Sequence, residues 1–179
     1  MALGLLVRHP SLFAGATLIG VHPGLEEEEG RSARALADER WATLAEKGGV
    51  EAFLAAWEAE PLFASQRRLA PEVLAAQRTW RRSLSAAGLA LSLRRVGLAG
   101  MPSYWGHLPA LLVPVHLLAG EADEKYRRLA ERARAALPHA HVSIIPGCGH
   151  NAILESPAAI AAALDEVSRA SPSPQERLR

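Results

Sequence analysis

The chain has 179 residues, enough for one domain with a substantial core. A net charge of +1 excludes the basic footprint of a nucleic-acid partner, and no apolar run approaches the roughly 20 residues of a membrane-spanning helix. The single cysteine, Cys148, excludes an internal disulfide and suits a reducing, cytoplasmic compartment.

Residues 1–9 read as the rear half of a helix, stopped by Pro10, which disfavours helical geometry in the residue before it. The short apolar run 15–21 contains two glycines and suits a buried parallel strand, closed by the turn dipeptide Pro23-Gly24. From residue 26 the character changes. Helical stretches are expected over 27–46, 49–59, 71–86 and 88–96, punctuated by Gly48-Gly49, Pro61, Pro71 and Gly88. Inserted between two strands, this block reads as a helical cap. A second buried strand is expected over 112–118, an amphipathic helix over 124–137, a third strand over 141–145 and a closing helix over 157–168, with Pro157 in its first turn. Residues 171–179 read as a disordered tail.

Strands alternating with helices predict an α/β fold with a parallel sheet of few strands. Ligands of such sheets sit at the carboxyl ends of the strands. Asp123, in the loop Gly120-Glu121-Ala122-Asp123, follows the second strand, and His150, after the turn Gly147-Cys148-Gly149, follows the third. Adjacent strands would put both side chains on one rim. Glu121 is the nearest competitor to Asp123. Asn151 beside His150 suits side-chain bonds that fix the loop. Cys148 occupies a small-residue site and reads as a packed side chain rather than a nucleophile. The run 26–29 of four glutamates reads as an exposed helix start. The histidines show no metal-ligand spacing, and no metal or cofactor is expected.

The strand–Asp loop–helix–strand–His order resembles the end of an α/β-hydrolase. Several segments narrow the resemblance: His22-Pro23-Gly24-Leu25, Trp57 followed by Pro61-Leu62-Phe63-Ala64-Ser65, Met101-Pro102-Ser103-Tyr104-Trp105, and the His150 block. They are similar to the 2-succinyl-6-hydroxy-2,4-cyclohexadiene-1-carboxylate synthases of menaquinone biosynthesis. The resemblance covers about residues 2–168. It implies core segments 1–25 and 98–170, a cap over 26–97, and elimination of pyruvate by a Ser-His-Asp triad without a metal. It assigns Asp123 and His150 to the triad. Trp57 and Arg34, with a second arginine at Arg81 or Arg82, would line the pocket for a small carboxylate substrate. Trp57 packing between cap and core and arginines merely solvated are the competing readings.

No G-x-S-x-G occurs in the chain. The resemblance places that motif, the oxyanion-hole loop and another arginine upstream of Met1. The expectation is a truncated chain, inactive by itself, with self-association through an exposed sheet edge. A generic esterase or carbon–carbon hydrolase, and a non-catalytic binding protein derived from a hydrolase, remain alternatives.

Overall fold

A computed structural model describes residues 1–170, with side chains as far as 165. The expected disordered tail, 171–179, lies outside the described residues. The chain divides into two compact units. One comprises Met1–Pro23 and the chain from Tyr104 onward, the other Gly24–Ser103.

The first unit carries the sheet. Helix α1 (Ala2–Arg8) leads to strand β1 (Ala16–Ile19), and β2 (Val115–Gly120), helix α5 (Glu124–Ala136), β3 (Ala140–Ile145), the short turn α6 (Ala152–Glu155) and α7 (Pro157–Ala170) follow the second unit. The order is β1-β2-β3, all parallel. Ala16 pairs with Val115, Val115 with Ala140, and Gly120 with Ile145. Every residue of β2 is buried, as a central strand covered on both faces requires. The expected strand at 112–118 begins three residues later and runs two further. Pro114 has no N–H for a ladder, and Leu112 is exposed. Pro114 contributes only its carbonyl, which accepts from Ala16 N–H at 2.9 Å.

Around the carboxyl ends of β2 and β3, Leu118, Ile145, Cys148, Ala152, Ile160 and Ala163 form one buried cluster. Cys148 is a packed member of it, its thiol donating to the Ile145 carbonyl at 3.4 Å. Burial pushes that thiol above its ordinary pKa, and the Glu155 carboxylate adds to the effect. Gly120 is fixed by the same packing. A Cβ there would stand 2.1 Å from the Gly149 carbonyl oxygen and 2.6 Å from that of Cys148.

The second unit is helical: α2 (Glu28–Trp57), α3 (Pro71–Arg82) and α4 (Ala86–Val96), with shorter helical turns at Pro61–Arg68 and Leu98–Gly100. Gly49, at φ 75°, breaks α2 into two helices, where the Gly48-Gly49 pair predicts a boundary. Ser85 caps α4 by accepting from Gly88 N–H. Aromatic rings make the core. Trp41 meets Trp57 edge to face at 5.0 Å, and Phe53 stacks on Trp57 at 5.4 Å. Across α2 and α4, Arg94 donates to both oxygens of Glu39 at 2.7 and 2.8 Å and also binds Glu46. These bonds hold both carboxyls below their ordinary value of 4.5. No helix among the described residues is long and apolar enough to cross a membrane.

Two outcomes are expected. Gly120→Ala forces backbone apart and lowers unfolding stability by about 1–3 kcal/mol, the usual range for overpacking, as read by urea denaturation. Arg94→Ala lowers Tm at neutral pH. Depressed carboxylate pKa values stabilise the fold above the unfolded value and stop doing so as pH falls through the folded one. The difference in Tm from the unaltered chain therefore shrinks as the pH of the melts falls below 4.5.

Candidate functional site

In the sheet unit, the loops leaving β2 and β3 are tied together by backbone. Glu121 N–H donates to the Ile145 carbonyl at 3.0 Å and Ala122 N–H to the Cys148 carbonyl at 2.9 Å. Glu121, the competitor for the acid position, uses its carboxylate elsewhere, accepting Gly147 N–H at 2.8 Å. Gly147 takes φ 69°, the left-handed turn that the Gly-x-Gly pattern predicts.

This lacing brings Asp123 and His150 together. Asp123 is the N-cap of α5, its Oδ1 accepting from Tyr126 N–H at 3.3 Å. Its Oδ2 lies 2.7 Å from His150 Nδ1. The Asp123 side chain is 5% exposed and that of His150 25%, so a buried carboxylate holds a ring that still reaches solvent. Tyr126 lies beside the imidazole at 4.5 Å between ring centres. At the end of β1, a Cβ on Gly20 would come within 3.5 Å of His150 Cε1, so β1 also closes on the ring. Nδ1–H donated to a carboxylate fixes the tautomer and places the basic lone pair on Nε2. Such a pair can take up and return a proton while the carboxylate stabilises the imidazolium.

Asn151 behaves as its position predicts. It caps α6, accepting from Leu154 N–H at 3.4 Å. Among the described residues no group of three or more His, Cys, Asp or Glu side chains converges as a metal site would require.

The cap candidates lie in the helical unit, and each of the three arginines sits beside a carboxylate. Arg34 Nε donates to Asp38 Oδ1 at 2.8 Å. Arg81 donates to Glu58 at 3.1 Å, and Arg82 Nε binds Glu51 at 2.6 Å. Trp57 belongs to the aromatic cluster and stands 5.6 Å from Phe63. That unit contains a cavity of about 420 Å³. Phe63, Leu74 and Ala75 supply its apolar wall, and Arg67, Arg78, Gln66, Gln77 and Glu58 its polar groups. Trp57, Arg34, Arg81 and Arg82 are not among its lining residues; Trp57 backs Phe63, and Arg81 binds the lining carboxylate Glu58.

Arg67 and Arg78 escaped the sequence reading, since one arginine among many in a helical block carries no signal. Glu155 also escaped it. Its carboxylate accepts from Gly149 N–H at 2.8 Å and from Asn151 N–H at 3.2 Å. The spacing Asn151 to Glu155, close to that of a capping box, was the available clue.

Known proteins are similar to this chain in sequence and in fold. The 2-succinyl-6-hydroxy-2,4-cyclohexadiene-1-carboxylate synthase of Enterobacter sp. (strain 638) is 35% identical over 162 residues, which are 90% of this chain and 60% of that protein. The structure of MenH from S. aureus superimposes with a TM-score of 0.88 at 31% identity, covering 91% of this chain and 61% of that one. A thermophilic esterase from Thermogutta terrifontis superimposes at 0.74 with 25% identity, covering 94% and 60%. The chain thus spans about three fifths of the length of these relatives. The alpha/beta hydrolase family matches residues 2–163. A match of that extent takes in the strands, the helical insertion and the loop of His150 alike, and this chain belongs to the alpha/beta hydrolase family.

Proposed function

We propose that this chain supplies the proton-transferring part of a Ser-His-Asp site that eliminates pyruvate from a menaquinone precursor. His150 is the base and Asp123 its orienting partner. The observation that carries the reading is the 2.7 Å contact of His150 Nδ1 with Asp123 Oδ2 at the ends of neighbouring parallel strands. The 35% identity to the Enterobacter synthase supports this choice of reaction.

In the proposed reaction, His150 Nε2 accepts, by way of the serine hydroxyl, the proton removed from the substrate. Asp123 stabilises the imidazolium while pyruvate departs. No G-x-S-x-G occurs among the 179 residues, and the proposed reaction takes its serine and oxyanion donors from outside them. Arg34, Arg81 and Arg82 are proposed for carboxylate recognition together with Trp57. Arg67 and Arg78, in the cavity those four do not line, are an alternative place for it, because guanidinium forks beside an apolar wall suit a small carboxylate with a hydrophobic ring. The likeness to the Thermogutta esterase supports a second reading, ester hydrolysis through the same pair.

Residues 1–179 alone are expected to release no pyruvate from the precursor above the blank, in a lactate dehydrogenase-coupled assay. Turnover equal to that of a full-length synthase would sink the proposal that the serine lies elsewhere. In a chain completed with a segment bearing G-x-S-x-G-G, Asp123→Asn is expected to lower kcat about 10⁴-fold, the cost of stabilising the wrong histidine tautomer. Unchanged kcat would remove Asp123 from its role. Hydrolysis of nitrophenyl esters by that chain without pyruvate release would favour the esterase reading.

A further inference from the structure

The amides of the two residues that flank His150, Gly149 and Asn151, end on one carboxylate. Glu155 Oε2 accepts from Gly149 N–H at 2.8 Å and Oε1 from Asn151 N–H at 3.2 Å. Helix capping accounts for only one of these bonds. Asn151 is already the N-cap of α6 through its own side chain, and the Asn151 amide is the one that a returning helix carboxylate reaches. The Gly149 amide lies outside the helix, yet it makes the shorter bond. Two charge-assisted bonds, on the Cys148–Gly149 and His150–Asn151 peptide planes, anchor the backbone before and after His150 to one side chain.

We propose that Glu155 is a positioning residue for His150. By holding the flanking amides, it sets the direction of the His150 side chain and keeps Nδ1 within 2.7 Å of Asp123 Oδ2. This deepens the proposed reaction and rests on its assignment of His150 as the base. Glu121 secures the other end of the same loop through Gly147 N–H, so the loop is held by carboxylates at Gly147, Gly149 and Asn151. A carboxylate suits the task because both its oxygens accept. A glutamine has one acceptor oxygen and sets its own NH₂ against the second N–H.

The test is nuclear magnetic resonance on the ¹⁵N-labelled 179-residue chain. A proton on Nδ1 bonded to Asp123 gives a low-field resonance, and the imidazole ¹⁵N shifts report the tautomer. In Glu155→Ala and Glu155→Gln that resonance is expected to be lost while the thermal melt stays cooperative. Asn151→Ala, which removes only the helix cap, is expected to retain it. A folded Glu155 variant with an unchanged resonance and unchanged ¹⁵N shifts overturns the inference and leaves Glu155 a cap. If neither variant folds, amide exchange in the unaltered chain decides. Gly149 and Asn151 N–H groups protected against exchange support the inference, and exchange at the rate of open loop amides overturns it. If the unaltered chain shows no low-field resonance, it is the His–Asp pair, and with it the proposed reaction, that fails. A resonance that is present but indifferent to Glu155 defeats this inference alone.

Discussion

The pairing of β2 with β3 is the constraint on which the candidate site depends. Two parallel strands in register from Val115–Ala140 to Gly120–Ile145 end level with each other. Their exit loops therefore meet, and backbone donors in one find backbone acceptors in the other. Asp123 and His150 face each other as a result of that meeting. The close approach needs Gly120 at the end of β2, where any side chain would strike the carbonyls of Cys148 and Gly149. The histidine is thus positioned by the paired strands, by a glycine that lets their exit loops meet, and by carboxylates along its loop.

The helical unit follows a different logic. Its aromatic cluster supplies the packing, and its arginines are distributed among carboxylates of the same unit. An exposed ion pair of this kind contributes little stability by itself. Arg94, which joins two acids on α2 from α4, acts instead as a cross-link between helices, because both partners lie on one helix and it lies on another. Arg34 is in a different position, bonded to a buried Asp38 four residues along the same helix. Its guanidinium is preorganised, which limits the conformational freedom that any anionic ligand would have to remove.

Much of this was legible in the sequence because the signals are local. The Gly48-Gly49 break, the Asn151 cap, the Gly147 turn and the positions of Asp123 and His150 after their strands all follow from residues within a few places of each other. What was not legible depends on distant partners. Nothing near Arg81 or Arg82 names Glu58 or Glu51, which lie 23 and 31 residues away. The same holds for Arg94 and its acids, 55 and 48 residues away. The start of β2 was misjudged for a local reason that apolar content overrode: a proline ends the ladder whatever the hydrophobicity beside it.

The register of β1 on β2 carries a kinetic consequence. Ala16 pairs with Val115, so the whole helical unit lies within the loop that this pairing closes. Closing so long a loop costs entropy before any ladder bond repays it, and contacts of high sequence separation form slowly. The contacts of the helical unit close shorter loops. The approach of Gly20 to His150 depends on that pairing, so the site is completed only when the long loop has closed.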